Sequence, residues 1–579
     1  MRLSRLALYA RTARELQPVQ WLYIPLRRLQ GPPRVPSVDR SAAVDSSAWE
    51  AFHQVLIRWP RRAEEHLAAA ERILAGEFRF LNHAEQMRKP DWRQRYVSHL
   101  WSYNLHYFDY GVDLALAYLQ TRRTEFLRRL EELVVDWIVG TQDRSGDGWQ
   151  PYAISVRIPN WIQVLALVGH DLRAEVRDAM VGSIYAQATA LERRLEFHIQ
   201  ANHLLRNYCA LAWSGLFLRG RRADRWRRRA VQAYWRELSR QVLPDGGHFE
   251  RSPMYHALVL ADSLRLLDLC RATGAPVPPS APDAARRMLR AQSVLSREDG
   301  SLHLFNDSAN GIAPRRAELF ALASQALGEA VEDVFPAHFV LSHTGYFAWK
   351  DDATRSKLVV DCGEPGPSFQ PGHAHCGVLS YELDIDGFPV VVDSGVRGYD
   401  GDLLRDYVRS TRAHNTVSIG GREQSEIWAT FRMARRARIE HREWRVTSSG
   451  AIITGAYRPY FDRRVRHHRS IEALEARWSI TDRVEGALGA SLASFIHLHP
   501  DFRIELRERR VLAESPRLAV WIEPFGVDTV RVYCGERDPV QGWYCPEFGV
   551  SVPAPVIELG VESNRGLPFG YKIFSAKRG

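Results

Sequence analysis

Residues 377–395 read GVLSYELDIDGFPVVVDSG, and this stretch decides the fold. Leu379, Tyr381, Leu383 and Ile385 fall on alternate positions, the period of a strand with one face in a core. Asp386-Gly387 is a tight-turn pair, and Phe388–Val392 forms a second apolar run, so an antiparallel hairpin is predicted. Toward the C-terminus, short strand-like runs continue at Ala413–Ile419, Ala451–Tyr457, Ala476–Val484, Ala519–Pro524 and Thr529–Cys534. Toward the N-terminus the period changes. Apolar positions recur at helical spacing through Phe126, Leu130, Val134, Trp137 and Ile138, and again from Val176 to Leu195. They return through Leu204, Tyr208, Leu211 and Leu218, and through Leu258, Leu264 and Leu267, with Gly/Pro-rich breaks at 140–151 and 273–282. Helical hairpins followed by many short strands predict two domains. These are an N-terminal (α/α) half over 1–335, with a short N-terminal extension, and a C-terminal antiparallel β-sandwich over 336–579.

Composition sets outer bounds. The chain has 579 residues, 45% hydrophobic and 25% charged, which excludes a disordered chain, a collagen-like fibre and a small disulfide scaffold. No apolar run reaches about 20 residues, so no membrane insertion is expected. Basic residues exceed acidic ones by ten; five are Lys and the other 73 are Arg. Such an Arg excess suits a polyanionic partner and equally suits a GC-rich genome. Nucleic acid is not expected, because zinc-finger spacing, RNP-type aromatics and a dominant basic block are all missing. Six scattered cysteines without CxxC spacing predict reduced thiols. The opening segment, MRLSRLALYARTARELQPVQWLYIPLRRL, is broken by Arg11 and Arg14 and does not read as a signal peptide, so a cytoplasmic location is expected, with the periplasm as the alternative.

Three segments are richer in polar and aromatic groups than a plain fold requires. In ANHLLRNY (201–208), Asn202 reads as a helix N-cap, which leaves His203 unexplained. In DGGHFERSPMYH (245–256), a glycine-rich loop leads into a helix near Tyr255. That loop reads either as functional or as solvated, with Tyr255 in the core. The third is GHAH (372–375), continued by Asp393-Ser394-Gly395 and by Ala413-His414-Asn415-Thr416. His373 and His375 share a face if the segment is a strand, and hairpin pairing brings Asp393 beside them. His414 begins the next strand, and two His with one Asp converging at adjacent strand ends predict a divalent metal site, best suited to zinc.

Together these motifs, with LWSYNLHYFDY (100–110) and SVRIPNW (155–161), resemble the heparinase II/III family of polysaccharide lyases over most of the chain. The resemblance implies an (α/α) toroid followed by an antiparallel β-sandwich, and β-elimination at a uronic acid in an acidic polysaccharide. The chemistry needs a group that neutralises the uronate carboxylate, a base for the C5 proton and an acid for the departing O4. The resemblance assigns Asn202, assisted by His203, to the carboxylate, Tyr255 to proton transfer at the scissile bond, and His373 to the partnering base. It assigns His375, Asp393 and His414 to one structural divalent metal, with no organic cofactor, and Arg157, Asn160, Trp161, Glu250, Tyr399, Tyr407 and His106 to substrate binding. Trp161 also fits plain packing between helices. Cys376 departs from the pattern, since an acidic residue is common there.

Two alternatives stand beside this reading. A glycoside hydrolase of uronides would need two carboxylates flanking the bond, and only Glu250 and Asp245 lie near one loop. A non-catalytic carbohydrate-binding or exopolysaccharide-biosynthesis accessory protein would be expected to have lost Asn202, Tyr255 or His373, all of which are present.

Overall fold

The computed structural model describes residues 2–575 apart from 37, 335, 448, 449, 475, 476 and 509, with backbone only for residues 2–4. Two short helices, Arg2–Ala13 and Pro18–Leu29, precede a toroid of helical hairpins running from Ser46 to Leu327. The outer helices are amphipathic. In Thr124–Gly140, Phe126, Leu130, Val134 and Trp137 are buried while Glu132 faces solvent, as the 3.6-residue period requires. Three helices, Pro151–Val168, Ala201–Phe217 and Pro253–Ala272, are buried almost all round and form the inner wall. A small hairpin, Glu77–Phe80 with His83–Gln86, interrupts the helices. The alternation there is too short for the sequence to have announced it.

The strands of the sandwich begin at His338, and the residue at the expected domain boundary, Phe335, lies outside the described residues, as does Ala476 at the start of one expected strand. The sandwich has an eight-stranded antiparallel sheet on one side. Opposite it lie a five-stranded sheet (338–391) and a four-stranded sheet joined to it by a bridge between Val391 and Leu498. Both faces feed one core, in which Leu358, Tyr381 and Leu383 meet Ile453, Ile471, Trp478 and Ile573. Tyr381–Ile385 and Phe388–Val391 pair antiparallel across Asp386-Gly387, both at positive φ. A two-residue turn with both residues left-handed has the twist a hairpin needs, and Asp-Gly tolerates it.

The two domains are tied by polar contacts. Asp245 accepts hydrogen bonds from the backbone N–H groups of His343 and Thr344, both at 2.7 Å. Gly247 lies so close to Thr344 that an added Cβ would sit 1.9 Å from its hydroxyl, so this position admits no side chain without displacing Thr344. Arg297, past the toroid helix Ser280–Leu295, pairs with Glu382 and Asp384 of the sandwich strand Tyr381–Ile385. All six cysteines are free thiols.

Candidate active site

The inner helices position the chemistry. Tyr152, Asn202 with His203, and Tyr255 each stand in the first turn of one of them, so three helix N-termini open onto the same cleft. Their aligned dipoles make that wall favourable to anions. The cleft has a volume of about 1860 Å³ and runs between the toroid and the sandwich loops that carry His373, Tyr399 and Phe431. Arg27, Arg28, Arg61 and Arg265 add positive charge to its lining.

Asn202 is not an N-cap. Gln200 holds that position, without a side-chain capping bond, and both Gln200 (φ 66°) and Ala201 (φ 52°) sit in the left-handed region. Two consecutive non-glycine residues there cost on the order of 1–3 kcal/mol each, a strain found mostly where a site requires it. The kink turns the Asn202 amide toward Glu250, to whose two oxygens it donates at 3.1 and 3.0 Å. Glu250 itself is fully buried behind Asn202 and not on the cleft wall; burial raises its pKa, against the pull of His373 and Asn202. His203 lies 3.2 Å from Glu196 and packs on the ring of Tyr152 at 4.4 Å. Burial opposes its charged form, but Glu196 more than offsets this and raises its pKa.

Tyr255 and His373 stack, with ring centroids 4.0 Å apart and planes at 29°. The Tyr255 hydroxyl is 2.8 Å from that of Tyr399, and burial pushes the Tyr255 phenol well above its usual pKa, so it holds its proton at neutral pH. His373 Nδ1 lies 2.9 Å from Asp307, a carboxylate that can only accept. Neutral His373 therefore presents Nε2 as its acceptor, 4.0 Å from Glu250. Asp307 and Arg405 are the residues sequence reasoning missed. Asp307 also accepts from His375 Nε2 at 2.8 Å and forms a two-pronged pair with Arg405. Burial works against its charge, yet Arg405, His373 and His375 hold its pKa well below the usual carboxylate range. The loop carrying it, FNDSANG (305–311), reads as an unremarkable turn, and only the fold shows that Asn306, at φ 58°, aims Asp307 inward.

Several expected positions fall elsewhere. The GHAH segment is a loop, not a strand; His373 and His375 converge because both reach Asp307. Arg157 is wholly buried, donating to the carbonyls of His106 and Gly148 and to Gln187, with its guanidinium 3.9 Å over Trp137. Trp161 is a core residue, edge-on to Phe108 and Trp137. His106 accepts from Trp137 Nε1 in the same core, and burial lowers its pKa to about 3. Tyr407 is buried among Val408, Ala413 and Cys545, away from the cleft. Asn160 does reach the cleft, held by the Tyr107 carbonyl and Asp109.

His375, Asp393 and His414 do not converge as three ligands, and among the described residues no group of three or more His, Cys, Asp or Glu side chains is arranged to hold an ion. The reason is that Asp393 is spent: its Oδ2 accepts from His414 Nδ1 at 2.7 Å and its Oδ1 from the Gly395 N–H. What the fold does bring together is the two imidazoles, with ring centroids 5.3 Å apart. Each is backed by a carboxylate on one nitrogen, and each keeps a buried nitrogen, His375 Nδ1 and His414 Nε2, without a partner among the described residues. Cys376 packs behind this pair with its thiol toward the Ser425 carbonyl and takes no part in it.

Comparison with known proteins agrees in both halves. Residues 60–326 match the heparinase II/III N-terminus family and residues 336–566 the heparinase II/III-like C-terminal family. A heparin-sulfate lyase of Pedobacter heparinus is 24% identical over 362 residues, covering 55% of this chain and 51% of that protein. FtsZ-localized protein C of Caulobacter vibrioides is 27% identical over 263 residues, 45% of this chain and 42% of that one. The chain thus spans about half the length or less of these curated relatives. Among solved structures, heparinase III superimposes with a TM-score of 0.68 at 15% identity, over 99% of this chain and 90% of that one. Heparan sulfate lyase HepC of Pedobacter heparinus gives 0.59 at 19% identity, over 90% and 85%.

Proposed function

Because this chain belongs to the heparinase II/III-like family, we propose that it is a polysaccharide lyase that cleaves an acidic polysaccharide at a uronic acid by β-elimination. The observation that carries this reading is the stacked Tyr255–His373 pair facing an anion-favouring wall that contains Asn202 and His203. In this reading the uronate carboxylate meets the Asn202 amide and His203, whose raised pKa keeps a proton available to offset charge as the C5–H bond breaks. His373, with Nδ1 tied to Asp307, takes the C5 proton on Nε2. Tyr255, kept protonated by burial, gives its proton to the departing O4, and Tyr399 hydrogen-bonds its oxygen. The C4–O bond breaks, a C4–C5 double bond forms, and no water is consumed.

A hydrolase would need two carboxylates flanking the bond on the cleft wall. The two carboxylates nearest His373, Glu250 and Asp307, are both buried behind it. This favours elimination over hydrolysis. The family's fold also implies a structural divalent metal. The paired, carboxylate-backed imidazoles fit such an ion, because a histidine held by a carboxylate on one nitrogen is a common metal ligand through the other. His375 and His414 would hold it, with Asp393 orienting His414, and the ion would brace the loop that carries His373.

The deciding experiment is an ultraviolet-absorbance screen of purified protein against acidic polysaccharides, with Tyr255→Phe as control. An absorbance gain on one polymer, lost in Tyr255→Phe, establishes elimination and names the substrate class. Reducing ends without absorbance would instead assign hydrolysis.

A further inference from the structure

The helix Pro18–Leu29 is docked inside out. Its polar side faces the protein: Gln20 is buried and donates to the carbonyls of His198 and Phe369, and Arg27 donates to Gln150 at 3.0 Å. Its apolar positions at helical spacing, Trp21, Leu22, Leu26 and Leu29, point outward and are 43–83% exposed. Leu6 and Tyr9 on the helix Arg2–Ala13 are exposed as well. An amphipathic helix normally buries its apolar stripe, and an exposed one rimmed by charge marks an interaction surface.

The charge around the stripe is one-sided. Residues 1–30 contain six Arg and a single acid, Glu15, which is occupied by Arg436 at 2.9 Å. Arg5 and Arg28 on these two helices and Arg14 in the turn after the first are exposed. Leucines, a tryptophan and a tyrosine combined with unopposed arginines form the chemistry that settles at the headgroup level of an anionic bilayer. No described helix is long and apolar enough to cross a membrane, so the segment would lie in the interface plane.

We propose that the two N-terminal helices dock this protein on an anionic membrane surface through Leu6, Tyr9, Trp21, Leu22, Leu26 and Leu29. The inner face of the second helix, through Gln20, Ile24 and Arg27, lines the cleft, so docking sets the cleft beside the bilayer.

The test is co-sedimentation of the full chain with vesicles of phosphatidylcholine alone and of phosphatidylcholine mixed with phosphatidylglycerol. The protein pellets with the mixed vesicles and is partly released by salt. Leu22→Glu with Leu26→Glu weakens binding by about tenfold or more. Arg5→Gln with Arg14→Gln weakens it by on the order of tenfold, and only on the anionic vesicles. Both pairs are exposed, so an unchanged thermal melt shows that the variants fold. Recovery in the supernatant with both vesicle types, or binding unaffected by Leu22→Glu with Leu26→Glu, overturns the proposal. A dimer that dissociates in that variant, with no vesicle binding, would assign the stripe to a second copy of the chain instead.

Discussion

The ring of Tyr255 lies 4.0 Å from the imidazole of His373, and the two groups come from different domains, one from an inner helix and one from a sandwich loop. Removing only the phenol oxygen by Tyr255→Phe keeps the stack and deletes the proton donor. Elimination should fall by roughly 10²–10⁴-fold. The lost bond to Tyr399 should cost only about 1 kcal/mol of stability. Initial rates by absorbance beside a thermal melt check both; a variant with near-normal rates would remove Tyr255 from the chemistry.

Asp307→Asn strips the charge from a fully buried partner of Arg405 and turns an amide donor toward one of the two imidazoles. Breaking a buried pair on one side costs roughly 3–5 kcal/mol, so the melting temperature should drop clearly. At temperatures where the variant is folded, kcat should fall more than KM changes, since the group that loses its anchor is His373. A normal kcat would show that His373 is positioned without Asp307.

Arg157 and Asn160, three positions apart on one helix, should separate. Arg157→Ala leaves the carbonyls of His106 and Gly148 unpaired in the core, at about 1–3 kcal/mol each, and should act on stability. Asn160→Ala should alter KM with little change in melting. Chemical denaturation and steady-state kinetics on the two variants make the comparison, and a KM effect from Arg157→Ala without destabilisation would restore it to the cleft.

Acid should loosen the domain junction. Burial pushes the Glu382 carboxyl up, but Arg297, His303 and the Leu304 N–H more than offset this and bring its pKa to about 2. A depressed carboxylate pKa contributes stability that is complete above the unfolded value, near 4.3, and lost as pH falls toward 2. Urea midpoints measured across that window should decline, and more shallowly in Glu382→Gln. Parallel slopes in the two proteins would show that other carboxylates govern acid unfolding.

If an ion sits between His375 and His414, purified protein should carry close to stoichiometric divalent metal, and chelation should lower the melting temperature. His414→Ala should abolish both effects. A metal-free protein whose melt ignores chelator would leave the two imidazoles as a purely packed pair.

Fold class was readable because the apolar period changes from helical before Leu327 to alternating after His338, and Asp386-Gly387 marks a hairpin within the alternating half. Within the cleft, Asn202, His203 and Tyr255 stand at loop-to-helix junctions and His373 and Tyr399 in loops, polar or aromatic groups that sequence singles out. Arg157, Trp161 and Tyr407 lie in equally distinctive stretches, yet whether they face a cleft or a core depends on helix rotation and on neighbours as far as 135 residues away. Asp307 was invisible for a related reason: its partners are 66, 68 and 98 positions along the chain. No local pattern records such a meeting.

Asp307 binds both His373 and His375, so the His373 ring and the histidine pair hang from one carboxylate. The two sites cannot drift apart in evolution as independent modules. A substitution that repacks His375 or His414 is transmitted to the tilt of the His373 ring, and one that retunes His373 is felt at the pair. Redesigning this protein for a new polymer should therefore leave that anchor alone and vary the far walls of the cleft, where Asn160, Tyr103 and Arg28 share no partner with it.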